Sequence, residues 1–223
     1  MKAEDKTCMR RLGAKFNSLS RPDGSVTFSR GETVVQAGVY GPIEVRQNRE
    51  VPEKATVEVF FRNKTGHQSC ADRLHEKVIR SALETVMLVA LHPRSSISVT
   101  LQELHNDGGM LACCINAAYL CAMDAAIATR CQVAAVHAAV MPDETIQLDP
   151  TLDQEKEATA CCTFAFENQE LEVISVHSDG QISVDMLSKC MQMCRSAAEE
   201  VFEFYRDAMA TRYNRYLRQE KDE

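Results

Sequence analysis

The sequence predicts a single α+β domain of two or three layers, in which hairpins build antiparallel sheet and helices cover its face. Three observations carry this. Residues 19–61 alternate β-branched runs with Gly- and Pro-marked turns. Two internal segments have helical patterning of contrasting kinds, one amphipathic and one apolar almost all round. The chain then ends on a long stretch whose apolar residues step by three and four.

Leu19-Ser-Arg-Pro-Asp-Gly24 is a turn signal. Ser25–Ser29 alternates as a short strand, Arg30-Gly31-Glu32 turns, and Thr33–Tyr40 is a second strand, with Gly41-Pro42 closing the hairpin. Glu44–Lys54 is charged and expected as an exposed loop. Thr56–Phe61 is a third strand, with a kink or bulge expected where Phe60 and Phe61 adjoin. Val78, Ile79, Ala82, Leu83, Val86, Met87 and Ala90 define one face of a helix from Ala71 to Ala90, stopped by His92-Pro93.

Ile97, Val99 and Leu101 alternate in a strand over Ile97–Leu104, followed by the turn Asn106–Gly109. Met110–Ala128 is apolar nearly all round and rich in Ala and Cys, so it reads as a buried helix whose small side chains permit close approach to a sheet. Val133–Met141 and Thr145–Leu148 are strands around Pro142-Asp143-Glu144. Cys161–Phe166 and Leu171–Val176 pair around Glu167–Glu170, and Ser178-Asp-Gly-Gln turns again. Val184, Leu187, Met191, Cys194, Ala198, Val201, Tyr205 and Ala208 step across about seven helical turns. Ser183 is the N-cap, and the charged stretch Arg212–Glu223 is expected to fray. The element order is therefore β-β-β-α-β-α-β-β-β-β-α.

Composition narrows the function classes. With 223 residues and 45% apolar content, the chain is long enough for one large core. Its longest apolar stretch is interrupted by Asn116 and Asp124, and its N-terminus is charged where a secretory signal is apolar, so a soluble intracellular protein is expected. The ten cysteines include no C-x-x-C pair, which argues against a structural zinc site and for reduced core thiols. A net charge of −7 opposes a free-standing protein that wraps nucleic acid by charge alone, but leaves room for a local basic track or basic neighbours.

Four stretches are candidates for chemistry. Asp107–Cys114 places a Gly-Gly turn before a helix, a standard phosphate-binding arrangement, yet Met110-Leu111-Ala112 follows with no Arg, Lys, Ser or Thr to complete a cradle. The other reading is a packing turn. Asp149-Pro-Thr-Leu-Asp153-Gln-Glu155-Lys-Glu157 clusters carboxylates that either serve Mg²⁺ or acid–base chemistry, or form a solvated acidic loop. Arg73, Lys77 and Arg80 line one face of the first helix, with Arg62 and Lys64 just ahead of it, either as RNA-backbone contacts or as a solvated face. Near the C-terminus, Tyr205, Arg206, Arg212, Tyr213, Arg215, Tyr216 and Arg218 form either a partner- or RNA-binding patch or a basic helix end. No local signature joins any of the six His to a Cys nucleophile.

Ser20-Arg-Pro-Asp-Gly-Ser25, Gly31-Glu-Thr-Val-Val35, Ala37-Gly-Val-Tyr-Gly-Pro42, Leu91-His-Pro-Arg94, Asn106-Asp-Gly-Gly109, Leu111-Ala-Cys-Cys-Ile-Asn-Ala117, Leu148-Asp-Pro-Thr151, Gln154-Glu-Lys-Glu-Ala158 and Phe204-Tyr-Arg206 occur in that order. As an ordered set they resemble the RNase PH family, and within it the ring subunits of the eukaryotic RNA exosome. The resemblance spans nearly the whole chain. It implies the RNase PH-like (ribosomal protein S5 domain 2-like) β-α-β-α fold with a long C-terminal helix. It also implies an N-terminal extension over residues 1–18, the domain over 19–217 and a charged tail over 218–223.

Active relatives degrade RNA from its 3′ end with phosphate and carry Thr-Arg after the Gly-Gly. Here those positions are Met110 and Leu111. The family's carboxylate pair falls on Glu155 and Cys161, and a substrate-binding Arg of the first helix falls near Ser81, beside Arg80. The resemblance thus implies a non-catalytic ring subunit that scaffolds and threads RNA during 3′-to-5′ processing and decay. Its expected RNA contacts are Arg62, Lys64, Arg73, Lys77, Arg80 and Arg94, with no metal and no cofactor. Its expected partners are other RNase PH-like subunits in a hexameric ring, cap subunits and RNA, in nucleus, nucleolus and cytoplasm. The alternative is a homodimeric nuclease with residual phosphorolytic or metal-assisted activity that uses Glu155.

Overall fold

β-branched and aromatic residues at alternate positions build two sheets in a computed structural model that describes residues 8–222. The first sheet has the order β1-β2-β3-β5-β4. Its strands are β1 (Leu12–Phe16), β2 (Gly24–Arg30), β3 (Thr33–Glu44), β4 (Thr56–Arg62) and β5 (Ser95–His105). Only β4 and β5 run parallel, as they must when joined by the crossover helix α1 (Cys70–Val86). The second sheet is antiparallel with the order β7-β6-β8-β9. It contains β6 (Val133–Val140), β7 (Ile146–Leu148), β8 (Ala160–Glu167) and β9 (Val173–Gly180).

Three helices sit between these sheets, because each touches strands of both. α1 packs on β4 and β9. α2 (Met110–Asp124) packs on β2 and β3 of one sheet and on β6 and β8 of the other. α4 (Val184–Asp222) packs on β6 and β8 and reaches β1. The expectation of an α+β domain of two or three layers holds, and the two-sided contact explains why α2 is apolar all round. Among the described residues no helix is long and apolar enough to cross a membrane.

Asn116, which breaks the apolar run of α2, is fully buried for a specific reason. β7 pairs only with Ala138–Val140, so the backbone of β6 at Ala135 has no strand partner on that edge. Asn116 supplies one: its Oδ1 accepts from Ala135 N–H at 2.7 Å, and its Nδ2 donates to the Ala135 carbonyl at 2.9 Å. A side-chain amide thus stands in for a strand and leaves neither backbone group unpaired.

Several local expectations differ from the structure. β1 lies in the stretch expected as an N-terminal extension, and pairs with β2 from Leu12↔Arg30 to Phe16↔Val26. β3 does not close at Gly41-Pro42: a register shift between Tyr40 and Ile43 takes Pro42 out of the ladder, and pairing resumes at Ile43↔Ser96. No bulge occurs at Phe60-Phe61. The β4–β5 register is continuous there, with Phe61 buried and Phe60 half-buried on opposite faces.

α1 stops at Val86 rather than Ala90, because Met87 turns extended and bridges to Thr129. Its start is fixed by a Ser69/Asp72 capping box, with bonds of 3.2 and 2.7 Å. α3 (Leu152–Glu157) forms where an acidic loop was expected, its start marked by Thr151 N–H donating to Gln154 at 3.0 Å. β9 continues through Ser178-Asp179-Gly180, because β8 begins at Ala160 and pairs with Gly180. In α4, Ser183 accepts from Met186 N–H as expected of an N-cap, while Cys190 faces the core in place of the exposed Met191. The helix runs on past Arg212 to Asp222.

Candidate active-site region

The Gly-Gly turn between β5 and α2 is braced from both sides. Thr33 Oγ1 accepts from Asp107 N–H at 3.1 Å and donates to the Gly108 carbonyl at 2.7 Å. Asn106 Oδ1 accepts from Gly108 N–H at 3.1 Å. Both glycines have positive φ, 92° and 66°. A Cβ on Gly108 would sit 2.5 Å from the Pro150 carbonyl, so only glycine lets the turn abut the segment after β7. Met110 and Leu111 occupy the first turn of α2 and are 8% and 5% exposed. Their side chains belong to the core and present no polar group to an anion.

A cation nevertheless reaches this turn from the far end of the chain. Arg10, just ahead of β1, donates from Nε to Asp149 Oδ2 at 2.9 Å and from Nη2 to Asp149 Oδ1 at 2.8 Å. Its Nη1 donates to the Asp107 carbonyl at 2.7 Å and to Asp107 Oδ2 at 3.0 Å, and its Nη2 also reaches the Gly108 carbonyl at 3.3 Å. A guanidinium has five N–H donors, and all five are engaged within the fold. Arg10 also donates its backbone N–H to Asp149. On the other side of Asp149, Arg30 Nε lies 3.0 Å from Oδ1, and both side chains are wholly buried. Burial alone would push the Asp149 carboxyl up, but the Arg10 hydrogen bonds and the Arg30 and Arg10 charges outweigh it and hold it below its ordinary range.

Glu155, carried by α3, points at the start of α2. Its Oε1 accepts from Gly109 N–H at 2.6 Å and lies 2.9 Å from His137 Nε2. His137 is held in turn by Thr163 Oγ1, 2.8 Å from Nδ1. Burial pushes Glu155 up, yet His137, Gly109 N–H and Arg10 together hold it below its ordinary value. Cys161 lies close enough for burial and the Glu155 charge to push its thiol up to about 11. At neutral pH it is a neutral thiol, and neither a carboxylate substitute nor an activated nucleophile. Glu155 and Cys161 thus stand near enough to interact electrostatically, and of the two the thiol is the uncharged member. Among the described residues no group of three or more His, Cys, Asp and Glu is placed to hold a metal ion.

These linkages set an acid limb. Both carboxylates titrate below their ordinary values, 3.8 for Asp149 and 4.5 for Glu155. A depressed folded-state value contributes stability that is fully present above the unfolded-state value and lost as pH falls through the folded one. Denaturant melts are therefore expected to show level stability down to about pH 5, then a decline below about 4.5. In Glu155→Gln that decline becomes shallower. An unchanged acid limb in the variant would show that Glu155 has no part in it.

The basic residues divide into two groups. Arg73, Lys77 and Arg80 are exposed along α1, and Arg62 and Lys64 are exposed at the end of β4 beside its start. Ser81 follows them, also exposed. Arg94 lies at the opposite end of β5 and reaches Glu50 at 3.4 Å. The C-terminal Tyr/Arg set does not form one patch. Tyr205 is fully buried against Tyr119, and Arg212 pairs with Asp124 and stacks 5.1 Å over Phe16. Arg206 lies 3.8 Å from Glu203, and Tyr213 is exposed. The side chains of Arg215, Tyr216 and Arg218 lie outside the described residues.

Residues 8–128 match the model of the RNase_PH family, 3′ exoribonuclease family, domain 1. The chain is 30% identical over 215 residues to the "Exosome complex exonuclease RRP46 homolog" of Arabidopsis thaliana, covering 89% of this chain and 90% of that protein. It is 28% identical to the "Exosome complex component RRP46" of Saccharomyces cerevisiae, with 84% and 90% covered. Among solved structures it superposes on rice Rrp46 with a TM-score of 0.88 at 27% identity, over 93% of this chain and 98% of that one.

Proposed function

We propose that this chain, which belongs to the RNase PH family of 3′ exoribonucleases, is a non-catalytic ring subunit of an RNA exosome that scaffolds the ring and guides RNA toward a nuclease. The observation that carries the reading is the occupancy of the phosphate position. Met110 and Leu111 are buried where a phosphate-holding pair would stand, and Arg10, the cation at the turn among the described residues, has every donor engaged. Phosphorolysis needs a dianion held in line with the scissile phosphodiester, and electrostatic stabilisation is usually the largest catalytic term. Neither of the residues expected to carry it is polar. The lone Glu155 beside a neutral Cys161 supports the same reading.

The partners that fit are other RNase PH-like subunits in a hexameric ring, cap subunits, and RNA. Names such as "exosome complex component" borne by relatives support this. The Arabidopsis relative's name says "exonuclease", which favours testing the second reading, a homodimeric nuclease. Purified protein incubated with 3′-labelled RNA, with and without orthophosphate and Mg²⁺, is expected to release no nucleoside diphosphate. Phosphate-dependent release that disappears in Glu155→Gln would establish the enzyme instead.

A further inference from the structure

We propose that the outer edge of β9 is a docking site for an extended segment of another protein chain, apolar at alternate positions and basic at its C-terminal end. The inference goes beyond the ring-subunit reading, because it stands on this surface alone.

β9 is the last strand of the second sheet and pairs on one side, with β8. Among the described residues no strand pairs with its other side, so a row of backbone N–H and C=O groups is left for a further strand. Soluble proteins commonly blunt such an edge with Lys, Pro or a bulge. β9 carries neither Lys nor Pro, and its register shift lies at the Val173 end, which leaves Ser175–Gly180 in regular pairing.

That shift also sets the side chains. Val173 stands opposite Phe166 and Val176 opposite Phe164, so the extra residue, Ile174, brings both valines to one face. Phe164 and Phe166 are stacked and buried, yet Val173 and Val176 are 36% and 49% exposed. α4 extends this apolar surface. Arg195 donates from Nε and Nη2 to the Leu171 carbonyl at 3.0 Å each, which fixes α4 beside the start of β9. Met191 lies one helical turn before Arg195, on the same side of the helix, and is 38% exposed. It falls about level with Val173, because four helical residues and two strand residues each span about 6 Å.

Charge selects the occupant. At the start of β9 a cavity of about 380 Å³ is lined by Glu167, Glu170, Glu172, Arg130, Cys131 and Gln169, three carboxylates against one cation. Asp179 is exposed at the other end of the strand. A second copy pairing antiparallel about the middle of β9 would bring the acid at each end against the acid at the other, a destabilising like-charge arrangement. The same carboxylates repel an RNA backbone. A segment with Arg or Lys beside Glu170 and Glu172 is attracted. Antiparallel addition, the more stable pairing, makes that its C-terminal end.

The probe is a synthetic peptide of eight residues, the length of β9, with Val at alternate positions, Thr between them and Arg at its C-terminal end. It is titrated to about 1 mM into the full-length, uniformly ¹⁵N-labelled protein, a range that captures weak strand addition. Saturable shifts are expected in the amides of β9 and of Met191. The same peptide ending in Glu is expected to bind at least about tenfold more weakly. Val176→Lys sets a charge on the exposed edge without touching the core, and is expected to weaken the Arg-ended peptide at least about tenfold. These results together support the docking site. No saturable shift with the Arg-ended peptide, equal affinity for the two peptides, unchanged affinity in Val176→Lys, or shifts that map outside β9 and α4 each overturn it. Shifts of the β9 amides as the concentration of the protein alone is raised would assign the edge to a second copy. Shifts of the same amides with single-stranded RNA would assign it to RNA, and either result overturns the proposal.

Discussion

Replacing Asp149 by alanine is expected to lower the unfolding free energy by about 3–5 kcal/mol, the range for stranding a buried charge partner. Asp149 is the only carboxylate that touches both Arg10 and Arg30, among the described residues. Its side chain and that of Arg30 are wholly buried, and Arg10 is 16% exposed. Removing it leaves Arg30 with no anion, and Arg10 with only Asp107 and two carbonyls. The pair term itself is not the main loss. Most of the destabilisation is the desolvation of an arginine that can neither release its proton nor reach water. The change also unties β1, because Asp149 accepts the Arg10 backbone N–H and thereby anchors the segment that enters the sheet edge. Urea melts at pH 7 measure it. Asp107→Ala is the comparison: its side chain is 32% exposed, and its loss is expected to stay near or below about 1 kcal/mol. A loss below about 1 kcal/mol for Asp149→Ala as well would mean that water enters the cluster and solvates both arginines.

This cluster also shows where reading the sequence stops. The helix faces were legible because their signal is local. Ile79, Ala82, Leu83 and Val86 recur within one element, and they are the residues α1 buries. The Gly-Gly turn was legible for the same reason, since its geometry is written in four adjacent residues. The cation at that turn was not, because Arg10 and Asp149 lie 139 residues apart and nothing near Arg10 distinguishes it from a charged leader. His137 sits in an apolar strand and Thr163 in another, and only the β6–β8 register places them opposite each other. A weak signal for Asp149 did exist, as an acid directly after the apolar end of β7. The error over the acidic stretch has a different cause. Its charges outweighed the Thr151/Gln154 start signal of α3, and that short helix is what turns Glu155 toward α2.

The basic face of α1 leads to the second large effect, on RNA rather than on stability. A net charge of −7 suggests that cations along a helix are neutralised by neighbours, but the acids of α1 point elsewhere. Asp72 closes the capping box with Ser69 N–H, and Glu76 accepts from Phe61 N–H and Gln68 at 2.8 Å each. Glu84 faces Lys54 at 3.9 Å. Arg73, Lys77 and Arg80 are left exposed, and among the described residues they make no ion pair, so they present three cations in line over about 10 Å of helix. Reversing all three to Glu in the assembled ring is expected to lower RNA crosslinking by about tenfold or more near physiological salt. The salt dependence of RNA affinity should flatten by about 2 in log–log slope, from three lost contacts at about 0.7 each on a single strand. Folding should change by less than about 1 kcal/mol, because none of the three side chains is buried. Arg94→Glu provides the contrast, since Arg94 stands at the far end of β5, already paired with Glu50. A smaller loss there locates the path along α1. Equal crosslinking in the triple variant and the wild type would mean that RNA passes the ring without touching this face.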